Sequence, residues 1–406
     1  MTALPREVVP LSPADLLSAL GRALGGPDPA RDRADREALT DALRRVTGAR
    51  HLFLFPDGRT SLYALLAPLA RAHPGAEVLL PDYNFFAVPE MLRRAGLTPA
   101  FVDVTAPHGE ADLTAAERAL TPRTRAVLLG HYFGRPNDLR AWRDFAARHG
   151  LELYEDCAHA FGASVDGRAA GLWGRGGFYS LSLTKGLTGV MGGVAFTDDD
   201  EIATTVSSFA GALDEVPRAE VARAIASALG GHALFARGAP ALHRAHASLV
   251  RAGVDPLDAA MTEPRPSRPP YAWPTRAEIP GACAWLALRH LPRAIADVDR
   301  QRALARRVVE ARPWSRVTLP RWETDRRATG LNLVARAADP WGLRRHLRAR
   351  GIDARSDYLS SSTGDAERFP VSARLAREGV LLPLRSMRDD ADADRLIEAL
   401  DAWERG

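Results

Sequence analysis

One lysine stands in the 406-residue chain, Lys185 within "GGFYSLSLTKGLTGVMGG" (176–193), although lysine and arginine together number 54. Every other long cationic side chain is therefore an arginine. The two cations differ in chemistry. An ammonium gives up its proton when buried or set beside other cations, and the free amine attacks carbonyl carbon. A guanidinium stays charged and is a poor nucleophile. A lone lysine in such a composition is either an accident or the amine of a covalent step with a carbonyl. The glycines that follow it, Gly189, Gly192 and Gly193, suit either a close backbone approach or a plain turn.

Three further strings carry polar or aromatic groups suited to a site: "PDYNFF" (81–86), "GHYFG" (130–134) and "EDCAH" (155–159). Each closes a short apolar run. The runs "HLFLF", "AEVLLP", "PAFVDV", "TRAVLLG" and "LELYED" alternate with amphipathic stretches such as "RTSLYALLAPLARA" and "DLRAWRDFAARHG". That alternation predicts βαβ units and a mostly parallel sheet flanked by helices. Functional groups of such sheets gather at the carboxyl ends of the strands, where all three strings fall.

From about 207 to 268 the texture becomes Ala- and Arg-rich and helical, and the proline-rich "EPRPSRPPYAWP" closes it. A packing surface, a subunit interface and contact with a membrane surface are all open to these amphipathic helices. Residues 269–406 hold a long helical pattern, the strand-like "LNLVARA" and "GVLLPL", and a closing helix. The expected organisation is a large α/β domain, 1–268, and a smaller α+β domain, 269–406.

Composition narrows the function. A hydrophobic content of 46% with 26% charged residues describes an ordinary globular chain. The net charge of +4, with arginines interleaved among acids, gives no basic stripe for nucleic acid. Two cysteines, Cys157 and Cys283, have no metal-ligand spacing, so no metal is expected and a reducing compartment is. The N-terminus lacks the pattern of a secretory signal, and a cytoplasmic protein is the expectation.

Read together, "YEDCAHAFGA" (154–163) and "YSLSLTKG" (179–186) resemble the paired signature of the DegT/DnrJ/EryC1/StrS family of sugar aminotransferases. "GRTSLYALLAPLARAHPGAEVLLPDYNFFAVPEMLRRAGLTPAFVDV", "GHYFGRPNDLRAWRDFAARHG" and "FPVSARLAREGVLLPL" follow the same family in order. The resemblance implies fold type I of the pyridoxal-phosphate (PLP) dependent transferases, PLP as cofactor, and a homodimer with shared active sites. It implies that Lys185 holds PLP as a Schiff base and that Asp156 faces the pyridine nitrogen. Ala158 and Phe85 (with Phe86 or Tyr83 as substitutes) would take the two ring faces, His159 the 3′ oxygen, and Arg59, Thr60 and Ser180 the phosphate.

The departures fall on the substrate side. The family's Tyr-Asn-Tyr-Arg segment becomes "YAWPTR" (271–276), with Arg276 a substitute for the arginine. Its His-Tyr-Pro loop becomes "SDYLSSST" (356–363), which keeps Tyr358 and has Asp357 for the histidine. Tyr358, Arg276 and Arg385 are the expected substrate residues, with Arg59 as another possible carboxylate binder. The activity implied is transfer of an amino group from an amino acid, glutamate foremost, to a nucleotide-linked keto-sugar. A PLP enzyme acting on a non-sugar keto or amino compound is the alternative, and a non-catalytic regulator or membrane-associated scaffold a third.

Overall fold

The computed structural model describes residues 4–210, 215–234, 277–321 and 326–406. Its centre is a seven-stranded sheet. The strands are β1 (His51–Phe55), β2 (Glu77–Pro81), β3 (Thr98–Val102), β4 (Thr124–Gly130), β5 (Glu152–Asp156), β6 (Gly176–Ser180) and β7 (Gly193–Thr197). They lie in the order β1-β7-β6-β5-β4-β2-β3, and β7 alone runs against the rest. All five residues of β2 are buried, as expected of a parallel strand covered on both faces.

The helices arise where the sequence carries both an apolar stripe and a start signal. Asp57 caps the helix Gly58–Ala72 by accepting the Thr60 N–H. Asp138 does the same for Leu139–His149, which buries Trp142 and Phe145 and ends at Gly150 in the left-handed conformation. The chain then enters β5 directly, so this helix sets where Asp156 emerges.

A second, smaller sheet is wholly antiparallel and contains Val317–Thr318, Leu333–Ala337, Gly379–Leu382 and Arg355–Ser356, in that spatial order. The helix Gly281–Glu310 connects the two parts. Its first turns, with Ala282, Leu286 and Leu291, pack into the core against the large sheet, and Leu304, Ala305 and Val308 pack into the core of the small one. Leu4 also belongs to that smaller core and bridges to Ile352. The fold is the α/β architecture with a smaller α+β unit expected from the sequence. The boundary at 268/269 lies outside the described residues, as does most of the Arg- and Ala-rich stretch. Its described part, the helix Arg218–Leu234, packs Val221, Ile225 and Ala228 in one core with Leu16 and Ala19 of the helix Pro13–Leu24. Among the described residues no helix is long and apolar enough to cross a membrane.

Candidate active site

A cavity of about 1100 Å³ opens over the carboxyl ends of β4, β5 and β6, with the small unit on its far side. Lys185 lines it, half-buried, on a loop whose backbone is closely held. Lys185 donates its N–H to Ser182 O (3.0 Å), Gly189 N–H reaches Leu181 O (3.0 Å), and Leu181 N–H reaches Gly192 O (2.8 Å). The glycines are needed for close approach. A Cβ on Gly189 would lie 2.3 Å from Cys283 O, and one on Gly193 would lie 2.3 Å from Asp57 O. From the other side, Arg385 donates to Thr184 O (2.5 Å) and Lys185 O (3.2 Å).

Asp156, the last residue of β5, also lines the cavity and is 8% exposed. It accepts one hydrogen bond, from Ala158 N–H at 2.9 Å. Burial raises its pKa, against the pull of that amide and of Lys185. A carboxylate this poor in donors calls for a cationic partner in the cavity. The next-door carboxylate shows the contrast. Glu155, fully buried, accepts N–H groups from Gly171 (2.7 Å), Trp173 (2.7 Å) and Gly174 (3.2 Å), and pairs with His131 Nε2 (3.0 Å). His131, Glu155 and Cys157 bring ligand-type atoms within 4.8 Å of one another. Glu155 is already saturated there, and its work is to tie the 171–174 loop to β5.

His159 is buried, and burial holds its pKa well below the usual histidine value, helped by Lys185 and Arg355. Its Nδ1 accepts the Phe133 N–H (3.3 Å), so the proton of the neutral ring sits on Nε2, which faces Tyr358 Oη at 3.1 Å. Asn332 Nδ2 donates to the same Oη (3.3 Å). With both lone-pair directions filled, the Tyr358 hydroxyl is left to donate its own proton. Burial raises the Tyr358 pKa, which keeps that proton in place.

Phe85 and Ala158 both line the cavity. Phe85 is set by the Asn84 side chain, which accepts its N–H at 2.8 Å. Gly58 and Arg59, at the N-terminus of the helix Gly58–Ala72, line it with Ser180. A Cβ on Gly58 would meet Ser180 Cβ at 3.0 Å, so these groups form one tight corner. Thr60, expected with them, is fully buried; its N–H is taken by Asp57 Oδ1 at 2.8 Å, and the cavity wall is Gly58 and Arg59.

The expected substrate residues separate. Tyr358 lines the cavity beside Lys185, whose Nζ is 5.9 Å from its ring centroid. Arg385 does not line it; its donors go to the lysine loop and to Glu7 at 3.0 Å. Arg276 and the rest of "YAWPTR" lie outside the described residues. Asp357 also lines the cavity, with its carboxylate buried, paired with Arg336 at 2.9 Å and hydrogen-bonded by Tyr83. Arg355, which sequence reasoning passed over, lines the cavity three residues before Tyr358. Nothing distinguishes it by type among so many arginines, and only its closeness to Tyr358 offered a signal.

Residues 34–215 match the model of the DegT/DnrJ/EryC1/StrS aminotransferase family. The chain is 34% identical over 166 residues to a UDP-N-acetyl-3-dehydro-alpha-D-glucosamine 3-aminotransferase of Acidithiobacillus ferrooxidans, covering 41% of this chain and 45% of the relative. It is 40% identical over 173 residues to an L-glutamine:scyllo-inosose aminotransferase of Streptomyces griseus, covering 43% of this chain and 40% of the relative. The chain thus spans less than half the length of either curated relative. Across nearly its full length the fold is similar to that of S. venezuelae DesV, solved with a ketimine intermediate: TM-score 0.70, 24% identity, 97% of this chain and 95% of that one.

Proposed function

We propose, with residues 34–215 belonging to the DegT/DnrJ/EryC1/StrS aminotransferase family, that the protein is a PLP-dependent aminotransferase. It takes an amino group from an amino acid, glutamate foremost, and delivers it to the keto group of a nucleotide-linked keto-sugar. One observation carries the reading: the only lysine of the chain shares a cavity with a buried carboxylate that has a single hydrogen bond.

The residues fit the cofactor. When bound, PLP supplies an aldehyde for an amine and a ring that accepts electrons from the substrate carbon. Lys185 Nζ is the amine that would hold the aldehyde and, when released, move a proton. Asp156 would keep the ring nitrogen protonated, since an anion stripped of other donors is best satisfied by a cation. Phe85 and Ala158 offer apolar walls for a flat ring. Gly58, Arg59 and Ser180 form the corner for a phosphate at a helix N-terminus. His159, neutral and fixed in one tautomer by Phe133, orients Tyr358 and leaves its hydroxyl as a donor.

The test is reconstitution. Wild-type protein given PLP should acquire visible absorbance that Lys185→Ala lacks, and glutamate should discharge it. A colourless wild-type protein would sink the reading. A panel of nucleotide-linked keto-sugars then checks the acceptor, and failure to aminate any of them favours the second reading, a non-sugar keto substrate. The altered loop "SDYLSSST", with Asp357 committed to Arg336, motivates that alternative. A homodimer with shared sites in the cytoplasm belongs to the same proposal, and sedimentation of the reconstituted protein checks the dimer.

A further inference from the structure

Arg355 is 7% exposed and lines the cavity, and its guanidinium makes no hydrogen bond among the described residues. Its one ion-pair partner is Glu7, at 3.6 Å, beyond hydrogen-bonding distance. Its guanidinium lies 5.1 Å from the centroid of the Tyr358 ring. A buried guanidinium carries five donors and a fixed charge, and leaving them unpaired is costly. Other buried arginines spend theirs inside the protein. Arg336 binds Asp357 (2.9 Å), Tyr83 (2.9 Å) and Leu375 O (2.7 Å). Arg385 binds the lysine loop and Glu7. Arg6 binds Asp353 at 2.9 Å.

Glu7 does not neutralise the group. Its carboxylate sits between Arg355 and Arg385, nearer to Arg385 at 3.0 Å than to Arg355 at 3.6 Å. One negative charge is shared by two positive ones, so Arg355 retains attraction for an anion. The groups around it add none. His159 and Tyr358 are neutral, and Asp357 is taken by Arg336. Lys185 lies near the same Tyr358 ring, at 5.9 Å from its centroid. A small molecule with an amine beside a carboxylate can reach the region of Lys185 with one group and Arg355 with the other. The phosphate corner, Gly58 with Ser180, is a separate part of the wall.

We propose that Arg355 is the receptor for the α-carboxylate of the amino donor, held at its post by Glu7. The inference rests on the aminotransferase reading and extends it to the donor's binding group. The planar fork of the guanidinium matches a carboxylate in two parallel hydrogen bonds, which fixes the direction of the donor as well as its affinity.

The test is calorimetric titration of the PLP-loaded protein with glutarate, which carries carboxylates and no amine. Arg355→Gln should weaken glutarate by about 100-fold, the worth of a charged hydrogen-bonded pair, and leave the visible absorbance of the loaded protein unchanged. Arg355→Lys keeps the charge and loses the fork, and should weaken glutarate by about tenfold. It supplies the reading if Arg355→Gln does not fold. Equal affinity in wild type and both variants overturns the proposal, as does a wild-type protein that binds no glutarate. Pyrophosphate binding that depends on Arg355 while glutarate binding does not would assign the residue to an acceptor's phosphates and equally overturn it. Should the wild-type protein take up no PLP, the aminotransferase reading fails by itself. The same titration on the cofactor-free protein still decides whether Arg355 binds a carboxylate.

Discussion

The two walls of the cavity are built in different ways. The large-domain wall is held by backbone. Asp156 ends a strand, Lys185 sits in a loop pinned by main-chain hydrogen bonds, and Gly189 and Gly193 allow contacts that a Cβ would block. The small-unit wall is held by ionic clusters joining distant parts of the chain: Arg6 with Asp353, Glu7 with Arg355 and Arg385, Arg336 with Asp357 and Tyr83. The first wall rests on main-chain hydrogen bonds and close turns, braced from outside by Arg385 and His290. The second depends on particular charges that are expensive to bury alone. On the proposed function, the first is the cofactor side and the second a substrate side whose chemistry a few substitutions can alter.

The sharpest break in the comparison is expected at Asp156. Asp156→Asn removes the charge without disturbing a backbone-held wall, so folding should be little changed and turnover should fall by about 10³-fold. Steady-state rates beside a melting curve check it; an equal loss in stability would mean the wall depends on its side chains after all. Next comes Glu7→Gln, which leaves Arg385 and Arg355 without their shared anion. Breaking a buried pair in this way should cost about 3 kcal/mol of stability, read by denaturant unfolding, while the capacity to take up PLP is retained.

The last expected effect concerns pH and is spread over more than two pH units. Burial lowers the pKa of His290 from 6.5 to about 4, and its Nδ1 accepts the Thr188 N–H of the lysine loop at 3.2 Å. The unfolded chain binds this proton near pH 6.5 and the folded one only near 4, so the unfolded state gains protons first as pH falls. Stability should therefore decline between those values by at most about 1.4 kcal/mol per pH unit for this group, and level off below. His290→Gln, neutral throughout, should flatten the slope in a pH series of unfolding curves. An unchanged slope would remove the histidine from the account.

The strands, the helices and the resemblance were readable because they are local. Period-two and period-3.6 patterns, Asp57 and Asp138 as caps, and Gly150 as a stop each act within a few residues. Asp156 and Lys185 were readable for the same reason, since each falls at a strand end or in its following loop. Thr60 was read as a phosphate ligand, but the local cap from Asp57 claims its amide. Arg385 was read as a substrate group, but it faces the back of the lysine loop. The first contact is three residues away in the chain, whereas the second joins positions 200 apart and follows from no neighbour in sequence.

By itself the sequence determined the alternation of elements, and with it the amine and the carboxylate at the sheet's carboxyl edge. Local hydrogen bonding and hydrophobic periodicity suffice for that. Which of the many arginines faces the cavity was decided only by tertiary structure. All carry the same charge, and what separates them is the partner each meets. Arg385 is committed through Glu7, 378 positions away in the chain, and through the lysine loop, whereas Arg355 meets the same carboxylate only at 3.6 Å and keeps its donors open. Burial makes that difference matter, because a guanidinium removed from water must find an anion, either in the protein or in what the protein binds.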